Sequence, residues 1–175
     1  MMKLLIFLFL LFVVSGCGSD NTPKGEVQKL FSNYNNLSSD LLIQLDTVME
    51  SENLNDAQID KYKEGLKRQY KDFKYKINDE IISQDNAIVS TEIEVYNLTK
   101  VIEDAEEYLK NNKNEFYTDD KLNNQKFWDY KLDQMIKANE KITYTVDFSL
   151  TKLDCKWTLD ELLEIDRQKI HGLYK

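Results

Sequence analysis

The firmest constraint in this sequence is an alternation near its C-terminal end. Ile142, Tyr144, Val146, Phe148 and Leu150 occupy every second position, opposite Lys141, Thr143, Thr145, Asp147, Ser149 and Thr151. A period of two places the first set on one face of an extended strand and the second set on the other. One face must be packed and the other wetted, which is the habit of antiparallel sheets and not of a parallel βαβ sheet. Ala87, Val89, Thr91, Ile93 and Val95 alternate in the same way against Ser90, Glu92 and Glu94. Ahead of them, Phe73, Tyr75 and Ile77 alternate with lysines, Ile81 and Ile82 follow, and Gln84-Asp85-Asn86 reads as a turn. A hairpin of two antiparallel strands is therefore expected there. Leu153-Asp154-Cys155-Lys156 turns the later strand into a short last one carrying Trp157 and Leu159.

The rest of the chain has helical spacing. Thr22-Pro23 reads as an N-cap with proline at the first helical position. Val27, Leu30/Phe31, Tyr34, Leu37, Leu41, Leu45 and Val48/Met49 then recur at helical intervals, though Asn33, Asn35, Asn36 and Ser38-Ser39 favour a break. Ser51–Leu54 is a linker. Asn55, with Gln58 three residues on, forms a capping box for a helix whose stripe is Ile59, Tyr62, Leu66, Tyr70 and Phe73. Asn97 or Thr99 caps a third helix, which ends at Asn111–Asn114. Thr118 or Asp119 opens a fourth, through Leu122, Trp128, Leu132 and Met135/Ile136. Asp160–His171 is a last helix, stopped by Gly172. The order predicts an α+β fold: N-terminal helices on a curved four-stranded antiparallel sheet, with helices inserted between strands two and three. Lys74, Lys76, Glu92, Glu94, Thr143, Thr145 and Asp147 belong to the wet face.

The N-terminus has a different grammar. Lys3 precedes an apolar run, Leu4–Val14, which closes on Val14-Ser15-Gly16-Cys17. Charge, run and small residues in that order are the layout of a secretory signal. Eleven residues make a helix of roughly 17 Å, against about 30 Å of bilayer hydrocarbon, so the run is too short to span. The last four residues resemble the bacterial lipobox, which implies cleavage between Gly16 and Cys17 and a diacylglyceryl thioether on Cys17. The expected organisation is a signal peptide at 1–16, a lipidated cysteine and tether at 17–22, and one extracytoplasmic domain at 23–175. Gly18–Thr22 reaches at most about 17 Å, which keeps the domain close to the membrane.

Removing residues 1–16 leaves 159 of the 175 and loses Lys3 alone among charged residues, so the formal charge moves from −8 to −9. That acidity argues against nucleic acid as a partner and against electrostatic adhesion to anionic lipid. The membrane is a partner through the Cys17 lipid instead. With Cys17 acylated, Cys155 is left alone, so no intramolecular disulfide is expected.

Several stretches resemble a group of uncharacterised lipoproteins from low-GC Gram-positive bacteria. They include Lys61-Tyr62-Lys63 through Leu66–Lys71, Glu92–Tyr96, Asp129–Met135, Thr143–Phe148 and the tail Lys169–Tyr174. Members of that group commonly have Asp-Gly at the final hairpin, where this chain has Asp154-Cys155. The order of elements is also similar to the cystatin-like cones of the nuclear transport factor 2-like superfamily. That similarity implies a curved sheet wrapped on a helix, often around a pocket, with Tyr75, Tyr96, Tyr144 and Trp157 as lining residues. The group transfers no activity.

Chemistry-bearing motifs are scarce. His171 is the only histidine, sixteen residues from Cys155, which is poor material for a zinc site. Its place before a helix-stopping glycine suits a charge complementing the helix C-terminus. Glu103-Asp104 and Glu106-Glu107 read as a solvated helix face, and Asp119-Asp120 as a helix start. There is no calcium loop, nucleophile elbow, P-loop or dinucleotide motif, and no cofactor is expected. A non-enzymatic, lipid-anchored domain binding a small molecule or an envelope protein is the leading expectation. A cone-fold enzyme with a pocket carboxylate as general base, and a structural or interaction module, are the alternatives.

Overall fold

The computed structural model describes residues 21–43 and 54–175. Thr22 opens α1 (Pro23–Asn35) by accepting the Gly25 N–H on its Oγ1 at 3.0 Å, and Pro23 supplies a φ already suited to a helix. The asparagine-rich stretch ends the helix where expected. Leu37 takes a φ of 49°, and helical conformation returns over 39–43. Leu45 and Val48/Met49, expected to continue that stripe, and all but the last residue of the 51–54 linker lie outside the described residues. The Asn55–Gln58 capping box is complete at the start of α2 (Asp56–Lys71). Two glutamines, Gln58 and Gln69, are buried on its inner face beside Leu66 and Tyr70. Burial of an amide requires partners, and both have them. Gln58 Nε2 donates to the Gln125 carbonyl at 2.9 Å, and Gln69 Oε1 accepts the Tyr96 N–H at 2.8 Å.

The main sheet contains β1 (Lys74–Ser83), β2 (Asn86–Tyr96), β5 (Lys141–Leu153) and β6 (Lys156–Leu159), all antiparallel in the order β1-β2-β5-β6. The register confirms both alternations. Ala87 faces Leu150, Val89 faces Phe148, Thr91 faces Val146 and Ile93 faces Tyr144, all on the packed side. Glu92 and Glu94 stand opposite Thr145 and Thr143 on the wet side. Lys74 and Lys141 sit at 3.1 and 3.2 Å from Glu94, and their hydrogen bonds hold its carboxyl below the usual carboxylate range. A bulge between Ile77 and Asp79 shifts the β1 register.

Between β2 and β5 lies the insertion: α3 (Leu98–Asn111), α4 (Lys113–Phe116), the small hairpin β3 (Tyr117–Thr118) and β4 (Lys121–Leu122), and α5 (Asn124–Lys137). Asp119 and Asp120 are not a helix start. Both have positive φ, 49° and 60°, and form the two-residue turn of that hairpin. Aspartate tolerates this left-handed region better than most residues, so an acidic pair suits such a turn as well as it suits a helix. Asn123 caps α5 instead, its Oδ1 accepting the Lys126 N–H at 3.0 Å. Asn97 caps α3. The last helix, α6 (Glu164–His171), begins four residues later than expected, because Asp160 N–H still donates to Ser149 at 2.9 Å on the sheet side. Gly172 ends it at a φ of 70°.

The space between the sheet and α1 is a packed core. Val27, Phe31, Phe73, Ile93, Phe148 and Trp157 fill it, with Ile170 from α6. Phe31 stacks on Phe73 and Tyr75 at centroid separations of 5.0 and 4.4 Å and meets Phe148 edge-on at 5.4 Å. A second core joins α2, α5 and the start of α3 through Tyr70, Tyr96, Leu98, Leu132 and Met135. The architecture is α+β with a four-stranded antiparallel sheet.

Candidate functional site

The signal-like stretch and Cys17 lie outside the described residues, and Asn21 is where the described chain begins. Asn21 is not a spacer. Its Nδ2 donates to the Trp157 carbonyl at 3.2 Å, its Oδ1 accepts the Trp157 N–H, and Nδ2 also reaches Glu26 Oε1 at 2.8 Å. One side-chain amide thus satisfies both backbone groups of a residue on the edge strand β6. One residue on, Thr22 starts α1, and Lys24 N–H donates to Glu80 of β1 at 3.0 Å. The N-terminal entry of the domain is thereby fixed at one end of the sheet, beside the tips of both main hairpins. Sequence reading passes over Asn21 because its partner is 136 residues away. A donor–acceptor amide immediately ahead of an N-cap is the only local signal.

At the same tip, Asp154 and Cys155 have φ of 48° and 65°, a turn conformation that glycine adopts without steric cost. Cys155 is disulfide-bonded. This corrects the expectation of a lone thiol. Cys17 is the only other cysteine in the sequence.

The four aromatic residues expected around a pocket are distributed over different contacts. Tyr75 and Tyr144 flank Ile93 in one row across the sheet. Tyr75 is covered on one side by Phe31, and the Tyr144 hydroxyl donates to the Tyr174 carbonyl at 3.1 Å. Tyr96, at the far end of β2, donates to Asp72 at 2.6 Å and lies under the Arg68 guanidinium at 4.3 Å. Its phenol is held above the usual range, chiefly by the Asp72 hydrogen bond. Trp157 is buried in the core at the hairpin end. The fold does not bring the four together.

His171 is placed differently from its expected role. Its Nδ1 lies 2.8 Å from the Tyr70 hydroxyl, and its ring meets Tyr34 edge-on. Burial pushes its pKa down to about 4, so it is neutral at pH 7 and supplies no charge to the helix C-terminus. Glu103, Asp104, Glu106 and Glu107 are exposed, and Asp104 pairs with Lys100. Among the described residues, no group of three or more His, Cys, Asp or Glu side chains is placed to hold a metal ion.

Among the described residues, a concavity of about 540 Å³ lies open along the charged face of α2 between Asp60 and Asp72, and two others are lined by aromatic side chains. A groove of about 370 Å³ runs between α3 and α5, floored by Ala105 and Tyr108 and walled by Tyr130 and Gln134. Tyr108 and Tyr130 stack there at 4.7 Å. A smaller, apolar pit of about 130 Å³ lies among Leu54, Tyr62, Ile102, Trp128, Met135 and Leu173. The pit is below the roughly 300 Å³ of an ordinary small-molecule site.

No family model matches this chain, and no curated protein matches it. One solved structure, of the candidate lipoprotein ycdA from Bacillus subtilis subsp. subtilis str. 168, is similar at 14% identity and a TM-score of 0.46. The likeness covers 89% of this chain and 51% of the other, so the chain spans about half the length of that protein. Similarity of that degree assigns neither a fold family nor a function.

Proposed function

We propose that this chain is a bacterial lipoprotein. Met1–Gly16 directs export and is removed, Cys17 carries the lipid, and residues 23–175 form a non-enzymatic binding domain on the extracytoplasmic face of the cell membrane. The observation that carries the reading is the order of Lys3, Leu4–Val14, Ser15-Gly16 and Cys17. Among the described residues no helix is long and apolar enough to cross a membrane, and anchoring is assigned to the lipid. Two or more acyl chains, at about 0.8 kcal/mol per buried methylene, give stable anchoring where a single chain binds only marginally.

A binding role is favoured over catalysis by the carboxylates. Among the described residues, the Glu94 and Glu164 carboxyls are displaced downwards by their cationic and hydrogen-bonding neighbours. A general base in an apolar pocket needs the opposite displacement. The Tyr108–Tyr130 groove is the place assigned to a ligand or an envelope partner, because its volume is adequate and its stacked phenols offer flat apolar faces with polar edges. The cystatin-like or nuclear transport factor 2-like cone is retained as the fold proposal. It is supported by a bulged antiparallel sheet packed on α1 with helices inserted between its second and third long strands.

The test is expression in a Gram-positive host with a radiolabelled or alkyne-bearing fatty acid. The wild-type chain is expected in the membrane fraction with label, and Cys17→Ala in the soluble or secreted fraction without it. Retention of Cys17→Ala in the membrane would overturn the proposal.

A further inference from the structure

We propose that the hairpin end of the sheet is the surface on which the domain rests against the bilayer, with exposed isoleucine and leucine side chains seated among the lipid headgroups. The inference deepens the lipid-anchor reading of Cys17 and rests on it. Its geometric basis is independent of that reading. The β1–β2 turn at 84–85 and the β5–β6 turn at 154–155 lie side by side, and Lys152 N–H donates to the Asp85 carbonyl at 2.7 Å. Ile81, Ile88 and Leu153 lie near these turns with 60%, 45% and 62% of their surface exposed, and Ile82, 53% exposed, lies beside them on the opposite face of the sheet. Ile81 and Ile88 face one another across the ladder on the wet side of the sheet. Single exposed apolar residues are ordinary; a group of them at one end of a domain marks a surface that something covers.

The length and exit point of the preceding chain decide what covers it. Asn21 is fixed to Trp157, four residues from the Leu153 side of this end. Four peptide steps separate Asn21 from Cys17, a reach of at most about 14 Å. An acylated Cys17 has its sulfur at the lipid surface, so the hairpin tips are held within one headgroup layer's distance of the hydrocarbon. The helical insertion, with the exposed Tyr117, leaves from the other end of β2, an eleven-residue strand of roughly 35 Å. The charges at the tips are mixed: Lys24, Lys152 and Lys156 stand with Asp79, Glu80, Asp85 and Asp154. Contact is therefore expected to be apolar and not to require anionic lipid.

The experiment uses the lipidated mature protein in phosphatidylcholine vesicles whose acyl chains are either brominated or plain, with tryptophan introduced as Ile88→Trp or Tyr117→Trp. Relative to the parent, the added emission of Ile88→Trp is expected to fall by roughly half in brominated vesicles, as for a side chain at the headgroup–acyl boundary. That of Tyr117→Trp should be the same in both. Equal Ile88→Trp emission in the two vesicles, with acyl chains on Cys17 by mass spectrometry, overturns the inference and leaves the anchor standing. Absence of acyl chains on Cys17 overturns both. A soluble Cys17→Ala chain that sediments as a dimer, and as a monomer once Ile88→Asp is added with its circular dichroism unchanged, gives the patch to a second copy and likewise overturns it.

Discussion

The Nδ1 atom of His171 and the hydroxyl of Tyr70 lie 2.8 Å apart, joining the end of α6 to α2 across 101 residues. The contact is built for a neutral imidazole. In the unfolded chain His171 titrates near its ordinary 6.5, and in the fold near 4. Between those values the unfolded state binds the extra proton, so stability is complete above about pH 6.5 and declines as pH falls towards 4. Arg167 lowers the folded value further and Glu164 opposes it. A displacement of this size on a half-buried residue corresponds to up to about 3 kcal/mol. Urea midpoints measured from pH 7.5 to 4 should fall for the wild type. The histidine-dependent part of that fall should be absent from His171→Gln, above the range where carboxylates titrate.

Gly172 is not replaceable. A Cβ there would stand 2.0 Å from the Tyr96 carbonyl oxygen and 2.8 Å from Gln69 Nε2, at a φ of +70°. The left-handed conformation costs a side chain about 1–2 kcal/mol before the collision is counted. Gly172→Ala is expected to lose at least about 3 kcal/mol in denaturant unfolding. Asp120→Gly, at an exposed positive-φ turn, is expected to gain about 1 kcal/mol.

Thr91 Oγ1 is buried on the packed face of β2 without a hydrogen-bond partner. Its neighbours across the sheet, Ile77 and Val146, are apolar. Thr91→Val removes the stranded hydroxyl at nearly constant volume and should stabilise the fold by about 1 kcal/mol, read as a higher urea midpoint at unchanged slope.

How much of this was legible depends on the range of the contacts. The two long alternations, the Asn55–Gln58 box and the Thr22-Pro23 start are local, and the structure follows them. Asp119-Asp120 is local too, but an acidic pair serves a helix start and a left-handed turn equally well. The long-range polar contacts that join the elements are invisible to periodicity. Asn21 meets Trp157, Gln69 meets Tyr96, and Tyr70 meets His171, at separations of 136, 27 and 101 residues. Gln58 and Gln69 show the same limit, since a polar residue on an apolar stripe looks like an error until its backbone partner is known. Expectation departed from structure most clearly at His171, whose position in the sequence suggested a charge and whose surroundings remove it.

Asn21 also bears on how such chains behave next to one another. β6 is a four-residue strand at the open margin of the sheet, and an open margin is a template on which a neighbouring chain can add a strand. By occupying the outward N–H and C=O of Trp157, the Asn21 amide closes that template midway along its length. The opposite margin, β1, is broken by its bulge and bordered by Lys74 and Lys76. Asn21→Ala should cost only about 1 kcal/mol of stability. Its larger effect should be faster hydrogen exchange at Trp157 and a lower concentration threshold for aggregation. The residue that ties the tether to the domain thus also keeps one copy from polymerising onto the next.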